Sequence, residues 1–171
     1  MTQFWHRTIE TPDGPFTVIT DENAVICSGW TDDVQALFGR LHLGPLSPTD
    51  LMAPPRLGQA IEAVEAYYDG DAQLISQVAC RQVAAPFHAQ VRRVLAGVPY
   101  GSRVSYTKLA GLAGNDKAAR AAASACAQNL TALFVPCHRV VRGDGSLGGF
   151  RYGLALKQRL LDRESAVVSG L

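Results

Sequence analysis

Three short runs of apolar and β-branched residues open the chain, at 4–11, 16–20 and 24–30, and each has the length and composition of a strand. Pro12-Asp13-Gly14-Pro15 between the first two predicts a hairpin turn, and Asp21-Glu22-Asn23 a second turn. The period then changes. Leu57, Ile61, Val64 and Tyr68 recur at helical spacing ahead of Gly70, which predicts an amphipathic helix over 56–69. The proline-rich stretch 44–55 before it reads as a long loop, and 83–86 marks the passage into a second half.

That second half is helical in period. Phe87, Val91, Val94 and Leu95 share one face of a helix over 87–96, which Val98-Pro99-Tyr100-Gly101 ends. Ser105 can cap a helix running through Ala113, Gly114-Asn115 makes a turn, and Asp116 can cap a second helix to about Gln128. Two short helices at this spacing form a helix-turn-helix. The second contains Ala118, Ala119, Ala121, Ala122, Ala123, Ser124 and Ala125, with Arg120 as the one long side chain among them. Small residues permit close approach to another surface, either a DNA groove or a packed neighbour. A last helix over 154–163 turns Leu156 and Leu160 toward the core, with Glu164 near its end. The fold class is α/β (α+β): a small N-terminal α/β domain over 1–83, then a mainly helical domain over 84–171 carrying DNA binding and chemistry.

With 171 residues, 47% of them apolar, the chain can bury one substantial core or a small domain beside a medium one. No run of roughly 18 apolar residues is present to span a membrane, and residues 1–10 lack the basic start and apolar core of a signal peptide. The expectation is a cytoplasmic protein. Cys27, Cys80, Cys126 and Cys137 are spaced too widely for a small disulfide scaffold and read as unbridged thiols. Neither Cys126 to Cys137 nor Cys137-His138 has the paired spacing of a zinc site, so no metal is expected. A formal net charge of +1 hides an asymmetry: residues 1–80 hold 3 basic and 11 acidic side chains, and residues 81–171 hold 13 basic and 4 acidic. A basic half attracts phosphate, although a solvated charge pattern without a partner fits as well.

Chemistry concentrates at Val135-Pro136-Cys137-His138-Arg139-Val140, which follows the apolar run 131–135. A cysteine at the end of a buried strand is usually an inert small hydrophobe. Here a base and a cation, His138 and Arg139, adjoin it, and a nucleophilic cysteine needs both kinds of help to react as thiolate. Adjacent residues of an extended strand face opposite ways, so His138 reaches the sulfur only through a water or a local bend. Glu164 can orient that histidine.

At these residues the chain resembles the O6-alkylguanine-DNA alkyltransferases (methylated-DNA–protein-cysteine methyltransferases), over nearly its whole length. The motif 135–140 carries the likeness, together with Ser105-Tyr106 opening the first short helix, Arg120 in the second, Asn129 at its end and Glu164 downstream. The stretches 120–129 and 142–148 are most similar to the methyltransferase domain of the bacterial adaptive-response protein. The resemblance implies DNA repair by irreversible, single-use transfer of an alkyl group, mainly methyl, from O6 of guanine to Cys137, with O4-methylthymine a second candidate substrate. It implies catalytic roles for Cys137, His138, Glu164, Tyr106 and Asn129. It implies minor-groove contact by Ala119, Arg120, Ala121, Ser124 and Tyr106, with Arg120 filling the space of a flipped base, and a pocket walled by Val140, Gly148, Phe150, Arg151 and Tyr152. The partner is double-stranded DNA; no cofactor, membrane or obligate protein partner is implied.

Two residues depart from the family pattern. Arg92 stands where relatives usually place a large apolar residue, and Arg151-Tyr152 replaces smaller side chains, which should narrow the pocket. Three other readings compete. A helix-turn-helix regulator leaves Cys137, His138 and Glu164 without a role, and a noncatalytic alkyltransferase-like protein lacks the cysteine. A cysteine hydrolase needs an oxyanion-stabilising arrangement that the sequence does not display.

Overall fold

The computed structural model describes residues 2–170, which form two compact units. The first comprises the chain up to Gln82 together with Leu130–Phe134; the second comprises Val83–Asn129 and the chain from Val135 onward. Among the described residues, no helix is long and apolar enough to cross a membrane.

In the first unit, β1 (Trp5–Thr11), β2 (Gly14–Thr20) and β3 (Val25–Gly29) form an antiparallel sheet in that order. The β1–β2 register runs from Trp5 opposite Thr20 to Thr11 opposite Gly14, so Pro12-Asp13 is a two-residue hairpin loop. Gly14 accepts the positive φ of 98° that this tight turn demands. The Asp21 carboxylate closes the second turn by accepting from the Asn23 and Ala24 amides. Helix α2 (Pro55–Tyr68) packs on β1 and β2 through Leu57, Ile61, Val64 and Tyr67. A further helix absent from the expectation, α1 (Val34–Gly39), is capped by Asp33 and buries Leu37 and Phe38. Six residues are too few to display a helical period. The apolar run 131–135 does not make a strand either: it carries isolated bridges, one of them from Thr131 to Ser28, and turns through a left-handed Leu133.

The second unit contains α3 (Pro86–Ala96), β4 (Val104–Ser105), α4 (Tyr106–Leu112), α5 (Ala119–Ala127), β5 (Val140–Val141) and α6 (Leu154–Val168). Val91, Leu95, Leu109, Ala110, Ala122, Ala125 and Val140 close its core, where α3, α4 and α5 meet. Ser105 caps α4 by accepting from the Lys108 amide at 3.0 Å. Asp116 does not cap α5. The chain first makes an Asn115 turn, with the Asn115 side chain accepting from the Lys117 amide and its carbonyl from Ala118, and α5 begins only at Ala119 without a side-chain cap. Helix α6 also outruns its expected end at 163, so Glu164 lies inside it rather than beyond it.

Candidate active site

Cys137 sits in a 3-10 turn, Cys137–Arg139, not at the end of a strand. Pro136 fixes the entry to the turn. The Cys137 amide folds back to the Val135 carbonyl at 2.8 Å, and the Arg139 amide reaches the Pro136 carbonyl at 3.0 Å. This is the local bend that the alternation of a strand would have forbidden. Cys137 is left half-buried while His138 turns wholly into the interior.

There His138 meets Glu164 of α6, with Nε2 to Oε2 at 2.5 Å. The other carboxylate oxygen accepts from Arg139 Nε at 2.7 Å and from the Gly101 amide at 3.2 Å. Arg139 also donates to the Val98 carbonyl at 2.9 Å and lies over the Tyr100 ring. Burial alone would raise the Glu164 carboxyl, but the hydrogen bonds and charges of His138 and Arg139 outweigh it and bring the group down to about 2. Complete burial holds the His138 imidazole below its ordinary value, against the pull of Glu164 and with Arg139 and Lys157 adding to the effect. A neutral His138 donates Nε2–H to the ionised carboxylate. Its buried Nδ1 has no hydrogen-bond partner among the described residues, and therefore carries the lone pair.

Asn129 follows α5 and joins that helix to the turn. Its amide nitrogen donates to the Val135 carbonyl at 3.0 Å and to the Cys137 sulfur at 3.4 Å. Tyr106 opens α4 with its ring against Gly148: a β-carbon on Gly148 would lie 2.9 Å from the Tyr106 hydroxyl, and the backbone φ there is 72°. Burial, then the neighbouring Cys126 and Cys137, raise the Tyr106 hydroxyl, so it stays protonated and can donate. Burial, then the neighbouring Cys137, push the Cys126 thiol up to about 12, so it stays protonated.

A residue that the sequence reading misses is Lys157. It is wholly buried on α6, and its ammonium donates to the carbonyls of Val140 at 2.6 Å, Leu147 at 2.5 Å and Gly149 at 3.1 Å. Three donors meet three acceptors, which is what makes a buried ammonium tolerable. This staple fixes the loop 147–152, in which Phe150 and Tyr152 pack edge to face with ring centroids 5.7 Å apart. The signal was available: Lys157 falls on the same face of α6 as Leu160, Leu161 and Glu164.

The remaining expected residues separate into two groups. Val140 is fully buried beside the turn, Gly148, Phe150 and Tyr152 are half-buried, and Arg151 is exposed. On α5, Arg120 is exposed, and Ala119, Ala121 and Ser124 are half-buried along the same helix. The hydrogen bond to the Cys137 sulfur comes from Asn129, beyond the end of α5.

A half-buried thiol next in sequence to a buried imidazole that is paired with a buried carboxylate is the set of groups that cysteine chemistry draws on. Residues 86–166 match the family model described as the 6-O-methylguanine DNA methyltransferase, DNA binding domain. The methylated-DNA–protein-cysteine methyltransferase of Methanothermobacter thermautotrophicus is 31% identical over 82% of this chain and 80% of its own. The bifunctional transcriptional activator/DNA repair enzyme Ada of Escherichia coli is 43% identical over 70% of this chain, which spans only 32% of Ada. The crystal structure of Mycobacterium tuberculosis O6-methylguanine methyltransferase superposes with a TM-score of 0.77 over 96% of this chain and 94% of that one, at 28% identity. The chain belongs to the 6-O-methylguanine DNA methyltransferase family.

Proposed function

We propose that this protein repairs O6-alkylguanine in duplex DNA by accepting the alkyl group irreversibly on Cys137. The observation that carries the reading is the turn at 137–139, which leaves the thiol half-exposed while its neighbour His138 is buried against an ionised Glu164. His138 Nδ1 takes the thiol proton through a bridging water, and the imidazolium formed is stabilised by the carboxylate behind it. The thiolate attacks the alkyl carbon, so that an S–C bond forms as the C–O6 bond breaks and its electron pair stays with guanine. Tyr106 donates a proton toward guanine N3 as that charge develops. The imidazolium proton of His138 then returns through solvent to the Tyr106 phenolate, so that net the thiol proton replaces the alkyl group on the base, and the exchange needs no cofactor.

The target base cannot be reached inside a stacked duplex, and extruding it costs a few kcal/mol. The reading assigns α4 and α5 as a helix-turn-helix with α5 in the minor groove, its small residues Ala119, Ala121 and Ser124 allowing close approach and the exposed Arg120 filling the vacated stack. Val140 and the loop 148–152 wall the pocket. The protein would work in the cytoplasm, where thiols such as Cys137 stay reduced. A thioether has no easy hydrolytic exit, so each molecule acts once. The test is intact mass after incubation with an O6-methylguanine duplex. One methyl per protein, located on Cys137 and reaching a plateau, is the expected result. Sustained turnover on excess substrate, or no methyl on Cys137, overturns the reading.

A further inference from the structure

Arg92 is a buried cation that the chemistry above does not use. It lies on α3 between Val91 and Leu95, which enter the core. Only 8% of its surface is exposed, its Nε makes a long 3.4 Å bond to the Ala125 carbonyl, and its Nη1 is buried without a hydrogen-bond partner. Among the described residues no carboxylate pairs with it. A guanidinium buried in this way costs the fold stability, and an apolar side chain of similar size would not. Burial lowers the Arg92 guanidinium and the sulfurs of Cys126 and then Cys137 oppose that effect; both cysteines pack against the core cluster that Val91 and Leu95 of α3 enter. Ala125 and Cys126 lie near the end of α5, three or four residues before Asn129, whose amide holds the Cys137 sulfur.

The other groups around the nucleophile are already engaged. Cys126 approaches from α5 as a neutral thiol, and Tyr106 from α4 as a neutral phenol. Lys157 of α6 also acts on Cys137 but is held by three carbonyls. Arg139 in the turn is paired with Glu164, which also holds His138. Arg142, which acts on Tyr106 and Lys157, is exposed to solvent, whereas Arg92 is a buried cation with a donor that has no partner among the described residues. We infer that Arg92 is an electrostatic partner of the Cys137 thiolate, carried by α3 into the core on which Cys137 packs, and that it raises the fraction of nucleophile ionised at neutral pH. The inference rests on the reading of Cys137 as the nucleophile and deepens it.

The test compares wild type with Arg92→Met and Arg92→Lys in two reactions across pH. One is alkylation of Cys137 by iodoacetamide without DNA, read by peptide mass; the other is single-turnover methyl transfer from an O6-methylguanine duplex. Loss of an opposite charge should raise the apparent pKa of Cys137 by about one unit. Arg92→Met is then about tenfold slower than wild type in both reactions at pH 7, and the rates converge at high pH. Arg92→Lys falls between the two. Arg92→Met should also melt at a temperature no lower than wild type, a change opposite in sign to that in rate. An Arg92→Met profile that superimposes on wild type overturns the inference. So does a Met variant that fails to fold, since the charge would then be part of the scaffold. Failure of the repair reading shows itself separately, as a wild-type Cys137 that iodoacetamide modifies but the duplex does not.

Discussion

Glu164→Gln removes one negative charge from the centre of a buried network and leaves its shape almost unchanged. The carboxylate accepts from His138, Arg139 and the Gly101 amide, with 1% of its surface exposed. Its pKa falls from an ordinary 4.5 to about 2, a fall of about 2.5 units reached despite the opposing effect of burial. At about 1.4 kcal/mol per pH unit, the ionised form contributes about 3 kcal/mol to folding. The sign follows from the depressed value. The contribution is complete above pH 4.5 and is lost as pH falls toward 2, whereas glutamine does not titrate. Urea unfolding of both proteins at pH 7, 5 and 3 should give a gap of about 3 kcal/mol at the two higher values and a smaller one at pH 3. In the same variant methyl transfer slows, because the imidazolium formed at His138 loses its counter-charge. A gap that is the same at pH 3 as at pH 7 would refute the assignment of Glu164 as an ionised keystone.

Two other substitutions address separate parts of the molecule. Arg120→Ala should slow repair of duplex far more than reaction with free O6-methylguanine, because only the duplex has a stack to refill; equal losses in single-turnover assays would remove Arg120 from that role. Lys157→Met strands the carbonyls of Val140, Leu147 and Gly149, and at about 1 kcal/mol for each lost bond the loss of stability is about 3 kcal/mol. Limited proteolysis within 142–153 should accelerate at the same time, and an unchanged cleavage rate would show that the staple does not hold the loop.

The elements legible in the sequence are those with a local cause. The β1–β2 hairpin follows from Pro12-Asp13-Gly14, α2 from the spacing of Leu57, Ile61 and Val64, and α4 from its Ser105 cap. Where two local signals compete, the sequence misleads: Asp116 is a good cap, but Asn115 captures the following amides first and delays α5 to Ala119. The turn at Cys137 has no periodic signature at all, since it is made by one proline and three backbone hydrogen bonds within 135–140. Cys137, His138 and Glu164 could be named from residue chemistry. Which nitrogen of His138 faces Glu164, and that Arg139 shares the same carboxylate, depend on a contact between residues 25 and 26 positions apart. Lys157 escapes for the opposite reason, because a long charged side chain on an apolar stripe is usually solvated at its tip.

The Lys157 staple grips only main-chain oxygens, and every residue type offers the same carbonyl. Anchorage of the loop is thereby uncoupled from the identity of its side chains. Positions such as Phe150, Arg151 and Tyr152 can drift to larger or smaller residues over evolutionary time while the loop keeps its attachment. Under the proposed function, descendants of this chain could therefore vary the bulk of the adduct they accept one substitution at a time, without passing through an unanchored intermediate, as long as Lys157 is left alone.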